Sequence, residues 1–374
     1  MAESSRKPLT YGVFVVVLGL GGCRSSSASS DRKTELATAA VPASASAALR
    51  HSPSKVELER AAMGTRVQIV CYTNEKSDET ATKAGMARAV DEMLRLERIL
   101  SEWKNDSEVS AINQGAGSPV RVGVDTFSVV SKGVWAGTTS SGTFDITFQT
   151  LSDLWKFGDA AETVPRVPSP ARVKARLEHL GYRKLVLDST ERTVLVPKGT
   201  QIGLGGIAKG YIVDSAARVL KKSGIHDFFV QAGGDLYGAG KKPDGSPWIS
   251  GVQDPRGAQG SYFAVIELEN HAFSTAGDYA RFYLAGGKRY HHIIDPRTGY
   301  PATESRSVTV WAKDALTADA VDDAVFILGP EKGLALVEAL EGTGAVIVDK
   351  ANKVWVSERL KPKLKILKPP SDGL

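Results

Sequence analysis

The chain has 374 residues, enough for one large domain or two ordinary ones and for a substantial buried core. Its composition, 42% hydrophobic and 24% charged, excludes a largely disordered or fibrous protein. The net charge of +5 comes mostly from the two ends ("SSRK" and "RLKPKLKILK"), so it is not a nucleic-acid footprint and no nucleic-acid partner is expected.

The first element is a leader. Arg6 and Lys7 form a basic n-region, and "YGVFVVVLGLGG" is too short for a comfortable membrane span. The run ends in Leu20-Gly21-Gly22-Cys23, which resembles the lipobox of bacterial lipoproteins, where the cysteine is lipidated and becomes the new N-terminus. An ordinary secretory signal, or a short anchor with a chance cysteine, is the alternative. Residues 1–23 are therefore expected to be a lipoprotein signal peptide and residues 24–54, rich in Ser and Ala, a flexible tether. Residues 55–360 are expected to form one folded domain and residues 361–374 a basic tail. This places the domain on the extracytoplasmic face of a bacterial membrane, held through Cys23. Cys71 is then the last thiol, and in the strand-like "TRVQIVCYT" it reads as a small core hydrophobe.

Within the domain, "KVELERAAMGTRVQIVCYT" alternates as strands do. "DETATKAGMARAVDEMLRLERILS" carries Met86, Ala89, Val90, Met93, Leu96 and Leu100 at helical spacing after a capping Asp78. "RKLVLDSTERTVLVP" predicts a hairpin, and "AKGYIVDSAARVLKKSG" an amphipathic helix closed by basic residues and a glycine. Strands are expected at "DFFVQAGGDLYGAG", "PWISGVQD", "YFAVIELEN" and "SVTVWAK". Helices follow at "ALTADAVDDAVFILG" and "PEKGLALVEAL", then a hairpin at "GAVIVDKANKVWVSE". Strands cluster without strict βαβ alternation, which predicts an α+β fold with largely antiparallel, mixed sheets and packed helices.

Several stretches carry chemistry. "GLGGIAKG" (203–210) follows a strand and opens a helix, so its glycines let backbone approach an anion while Lys209 adds positive charge. A tight structural turn explains it equally simply. "QAGGDLYGAG" (231–240) is a second glycine bend, holding Asp235, with a plain turn between strands as the alternative. In "YHHIIDPRTG" (290–299) the "DPRTG" part is a turn by its own chemistry. A strand sends His291 and His292 to opposite faces, so at most one points into a site. Neither has partners at zinc spacing. "SGTFDIT" (141–147) reads as a capped helix start. In "TADAVDDAVFILG" Asp319, Asp322 and Asp323 stand at i, i+3 and i+4, on one helical face. Either that face is solvated, or, since its flanks are apolar, a hard cation sits against it.

In order along the chain, "AAMGTRVQI", "LSEWKNDSEVSAIN", "GTFDIT…LWKFG", "LGGIAKGYIVD", "VQAGGDLYGAG", "STAGDYARFY", "YHHIIDPRTGYPA" and "TADAVDDAVFILG" resemble the ApbE family of FAD:protein FMN transferases over residues 57–358. The resemblance implies a single ApbE-like domain that takes FAD as substrate. With Mg²⁺ it transfers FMN to a threonine hydroxyl of an acceptor protein, a subunit of a membrane redox complex, and releases AMP. By position it implies FAD contacts at Met63, Trp103 (where a tyrosine is usual), Thr143, Phe144, Asp145, Lys209 and His292. His292 and Asp319 are the implied catalytic residues. Gly206 (through its carbonyl), Asp319 and Asp323 are the implied metal ligands. Two positions depart from the family pattern. Asp323 replaces a threonine, which adds a second carboxylate to the metal set and favours the cation reading of the acidic face. Gly203 replaces an aspartate that contacts FAD. Hydrolysis of FAD to FMN and AMP, and a catalytically silent FAD-binding lipoprotein, are the competing expectations.

Overall fold

The computed structural model describes residues 52–157 and 167–373; the leader and nearly all of the tether lie outside the described residues. Its centre is an eight-stranded sheet in the order β1 (Lys55–Ala62), β2 (Thr65–Tyr72), β6 (Phe228–Ala232), β7 (Asp235–Ala239), β10 (His271–Gly277), β15 (Ser305–Ala312), β16 (Gly344–Asp349) and β17 (Val354–Val356). Smaller sheets join β3 (Pro119–Arg121), β5 (Thr193–Leu195) and β4 (Val186–Asp188), and β18 (Leu364–Ile366), β9 (Tyr262–Leu268) and β8 (Trp248–Gln253). Two short hairpins complete the set: β11 (Phe282–Ala285) with β12 (Lys288–His291), and β13 (Ile294–Asp295) with β14 (Tyr300–Pro301). Among the described residues every strand pair is antiparallel, so the expected α+β class holds without a parallel component.

Alternation along the central strands separates two cores. Val67, Ile69 and Cys71 of β2, with Phe228 and Val230 of β6, face the helices. Val70 and Phe229 point the other way, onto Trp248, Phe263 and Ile266 of β8 and β9. A sheet covered on both faces explains why β6 and β7 are buried at every residue. Cys71 is fully buried, and burial pushes its thiol up to about 12, as expected of an inert core residue.

The helical layer follows the periodicities. Asp78 caps α1 (Glu79–Leu100) by accepting the Ala81 N–H at 2.8 Å, and the six apolar positions at helical spacing are all buried. α2 (Glu108–Gln114) and α3 (Val124–Thr139), on either side of β3 in the chain, were not expected from the sequence. α4 (Pro170–Leu177) packs below the β11–β12 hairpin with Trp155 and Tyr283. α5 (Ala208–Lys222) and α6 (Ala315–Ala339) lie side by side against the sheet. The two helices expected around "FILGPEK" are both present within α6: the backbone leaves the helical region at Gly329 (φ 75°, ψ −177°), and Pro330 opens the second helix.

The C-terminal segment is not the separate basic tail expected from its charge. β18 pairs with β9, and Asp254 accepts both the backbone N–H and the hydroxyl of Ser371, so the fold extends to the end of the described residues. No helix among the described residues is long and apolar enough to cross a membrane.

Candidate active site

The site forms where the start of α5 meets the second turn of α6 and the first residues of β7. Gly210 makes the contact possible. A Cβ there would stand 2.3 Å from the Ala315 carbonyl oxygen, so only glycine lets the two helices approach so closely. The bare Gly210 N–H then donates to Asp319 Oδ2 at 2.8 Å. One turn further along α5, Asp214 accepts the Ala315 and Leu316 N–H groups, each at 2.9 Å, beside the helix's own cap Asp314. A carboxylate from one helix thus holds the N-terminus of the other, which fixes where Asp319 points.

The acidic face is packed. Asp319 and Asp322 are buried, while Asp323 stays partly open. Lys209 Nζ lies 2.7 Å from Asp235 Oδ2 and 3.7 Å from Asp319 Oδ1. Burial acts to lower the lysine's pKa, but Asp235 and Asp319 outweigh it and hold the ammonium well above its ordinary range. Burial raises all three α6 carboxyls, Asp319 to about 7 and Asp323 to about 6; Asp235 adds repulsion at both, and Lys209 offsets part of it. Asp322 is pushed furthest, by burial and then by Asp323, Asp319 and Asp235. Ser274 of β10 touches Asp235 Oδ1 and Asp322 Oδ2, both at 2.6 Å. A hydroxyl has one proton to give, so the second contact requires a protonated carboxyl, and Asp322 is the group that carries it.

Among the described residues no three His, Cys, Asp or Glu side chains form a metal-holding group. The set expected from the sequence is smaller: two carboxylates and one carbonyl. Gly206 fits that set, since a Cβ on it would stand 3.0 Å from Asp323 Oδ2 and 3.5 Å from the Phe144 ring. Backbone, carboxylate and ring therefore meet at one point. An ion held by two carboxylates and a carbonyl keeps positions for phosphate oxygens and water, as Mg²⁺ requires.

The remaining expected residues fall into place unequally. Phe144 faces Gly206, and Thr143 is buried with its hydroxyl donated to the Ser140 carbonyl. Asp145 has both oxygens committed, to the Thr147 N–H and hydroxyl and to the Tyr182 N–H. It caps the short 3₁₀ helix Ile146–Leu151, which is the capped-start alternative. Met63 occupies the β1–β2 turn at φ 53°, followed by Gly64 at φ 64°. That turn lies beside the β6–β7 turn, where a Cβ on Gly233 would meet Thr65. Trp103 is 74% exposed on the α1–α2 connection. The two histidines diverge, as strand geometry requires. His291 is buried, its Nε2 2.8 Å from the Ala302 carbonyl and its ring edge-on to Phe326. His292 leaves Nδ1 without a partner, and burial, Arg281 and His291 together hold its pKa well below the ordinary value. Its imidazole is neutral at physiological pH.

Gly203 has a local reason. A side chain there would press on Gln149, whose Oε1 lies 3.0 Å and whose Cβ lies 3.1 Å from the Cβ position, so Gln149 would have to give by a few tenths of an ångström. Sequence reasoning missed Asp235 and Ser274 as site groups, noting only the bend around Asp235. It also missed Glu102, whose carboxylate reaches within 3.1 Å of the Cβ position at Gly205. Its neighbour Trp103 was the available signal.

A glycine turn opening a helix, with a lysine beside it, is an arrangement that can receive a phosphate-bearing ligand, and carboxylates outnumber the ammonium next to it. Residues 63–347 match the ApbE family profile, and the chain belongs to the ApbE family. A protein named FAD:protein FMN transferase from Klebsiella pneumoniae is 32% identical over 318 residues, covering 81% of this chain and 88% of that relative. The Vibrio cholerae protein of the same name is 34% identical over 267 residues, covering 70% and 79%. The crystal structure of the ApbE protein from Thermotoga maritima superposes with a TM-score of 0.75 at 34% identity, covering 83% of this chain and 99% of that one. The Vibrio cholerae flavin transferase ApbE gives 0.73 at 30% identity.

The proton on Asp322 has a consequence for stability. A carboxyl whose folded pKa is raised binds more protons folded than unfolded, so its contribution is complete below the unfolded pKa and lost as pH rises through the folded one. Asp322→Asn keeps a donor for Ser274 and removes that slope. In metal-free protein its stability should equal wild type below about pH 4, the unfolded carboxyl range, and exceed it increasingly as pH rises from there. Urea unfolding across that range checks this, and an Asn variant that is markedly weaker throughout would place the proton elsewhere.

Proposed function

We propose that this chain is an FAD:protein FMN transferase, moving the FMN moiety of FAD to a threonine hydroxyl of an acceptor protein and releasing AMP. The observation that carries the reading is the pair Asp319 and Asp323 at the glycine turn, with neutral His292 on the hairpin that borders it. The names and structures of its relatives support the same chemistry. The acceptor we have in mind is a subunit of a membrane redox complex.

Each residue has a defined task. The N-terminal turn of α5, with Lys209, receives the phosphates. Asp319, Asp323 and the Gly206 carbonyl would hold Mg²⁺, which when bound offsets the carboxylates' charge and withdraws charge from the bridging phosphates. Phe144 and Met63 supply apolar surface for the flavin, and Trp103 a ring free to stack on a ligand. His292, neutral and with Nδ1 uncommitted, accepts the threonine proton as that oxygen bonds to the FMN phosphorus. The bond from that phosphorus to the bridging oxygen breaks, and the electron pair leaves on AMP. Attack by water in place of threonine would give free FMN.

The test is incubation with FAD, Mg²⁺ and a candidate redox subunit, followed by mass measurement of that subunit. Wild type should add one FMN. Asp319→Ala and Asp323→Ala should each lose about 10²-fold or more in rate while remaining folded. The pH profile adds a second check. Protons and Mg²⁺ compete for Asp319 and Asp323, so the acid limb near pH 6–7 should move to lower pH as Mg²⁺ is raised. Full activity of both alanine variants, or an acid limb insensitive to Mg²⁺, would remove the metal from these residues.

The same reading places the enzyme on the outer face of a bacterial membrane, tethered by lipidated Cys23. Wild type should partition into the detergent phase on expression in a lipoprotein-processing host, and Cys23→Ser should not. Equal partitioning of the two would reduce the leader to an ordinary signal or anchor.

A further inference from the structure

We propose that Arg281 is an additional catalytic residue of this site, its guanidinium contacting the FAD pyrophosphate and balancing the charge that builds on AMP as it departs. The inference rests on the transferase reading and adds a residue to it.

The backbone places Arg281 first. The β11–β12 register pairs Phe282 with His291, and the His292 N–H donates to the Arg281 carbonyl at 3.1 Å. Arg281 and His292 thus stand one step beyond the last ladder pair and are joined by that bond. Residues directly opposite on an antiparallel pair share a face, about 5 Å apart at Cβ. The guanidinium thus leaves the hairpin on the same side as the imidazole that accepts the threonine proton. His291 and Arg289 belong to the other face, where Arg289 stacks on Phe282.

Its charge is uncommitted. Arg281 is exposed and makes no ion pair or side-chain hydrogen bond with any described residue. Lys209, the other cation here, is already bound to Asp235 and lies near Asp319. Four carboxyls, Asp235, Asp319, Asp322 and Asp323, face that single ammonium, and a phosphate entering the site meets an excess of negative charge. The field of Arg281 reaches three groups on three separate elements: Glu102 on the α1–α2 connection, His292 on the hairpin and Asp323 on α6. An unpartnered guanidinium on the residue bonded to the base's own backbone is available to the transferring phosphate. Its fork of donors suits two phosphate oxygens at once. No proton moves through it. The bond made is threonine oxygen to phosphorus, the bond broken is phosphorus to bridging oxygen, and Arg281 meets the resulting negative charge.

The experiment measures transfer from FAD, with Mg²⁺, onto a redox subunit that the full-length wild-type enzyme flavinylates, alongside FAD binding by flavin fluorescence. Arg281→Gln should lower kcat by about 10²-fold or more while the FAD Kd changes by only a few-fold, the pattern of a contact that strengthens in the transition state. Arg281→Lys should recover part of the rate, because a point charge replaces some of the fork. Arg289→Gln, on the other face of the same hairpin, should transfer at the wild-type rate. Wild-type kcat in Arg281→Gln would overturn the proposal, as would an equal loss in Arg289→Gln, which would mark the hairpin's fold and not the guanidinium. Absence of transfer by wild type itself would instead overturn the transferase reading, a separate outcome.

Discussion

Four carboxyl groups gathered around one ammonium are the constraint on which the rest of the structure turns. Charge removed from water is costly unless it is paired, protonated or bound to a cation. Here Lys209 satisfies Asp235 and part of Asp319, a proton on Asp322 satisfies Ser274 and its neighbours, and Asp323 is left open at the glycine turn. These bonds also join the elements. Lys209 ties α5 to β7, the Gly210 N–H ties α5 to Asp319 of α6, and Ser274 ties β10 to Asp235 of β7 and Asp322 of α6. In the proposed reading, a cation bound at Asp319 and Asp323 would complete the neutralisation.

The position of the helix pair is fixed by small, specific features. Gly210 removes the side chain that would otherwise separate α5 from α6, and Asp214 grips the exposed N–H groups of α6. Without that approach Asp319 and Asp323 would sit farther from Gly206. The departures from the family pattern are local too. Gln149 fills the space beside Gly203, and Glu102 brings a different carboxylate to the same turn from the opposite wall. An aspartate at position 203 would require Gln149 to move. The polar character of the turn is kept by residues that arrive from elsewhere.

What the sequence revealed and concealed follows from the range of each signal. The helices α1, α5 and α6 and the hairpins β1–β2, β4–β5 and β16–β17 were legible because their periodicity and caps lie within a few residues. The divergence of His291 and His292 was legible because strand pleating alone dictates it. The apolar flanks of the α6 aspartates left a solvated and a packed face both open, and the structure buries Asp319 and Asp322. Asp235, Ser274, Glu102 and Arg281 were not legible as a group, since they stand on four elements separated by up to 179 positions and only the sheet order brings them together. The C-terminal basic run misled in the other direction. Its lysines suggested a solvated tail, whereas Leu364 and Ile366 pair with β9. Asp145, expected against the ligand, is spent on capping, a role that its position before Ile146 already allowed.

The central claim is that a divalent ion is held between the glycine turn and the open side of the acidic helix. Anomalous scattering from crystals soaked in Mn²⁺, a stand-in for Mg²⁺ with the same preference for oxygen, locates such an ion directly. The account predicts one strong peak in contact with the Gly206 carbonyl and with the Asp319 and Asp323 carboxylates. No density there, or a metal bound only at carboxylates remote from α6, would contradict it.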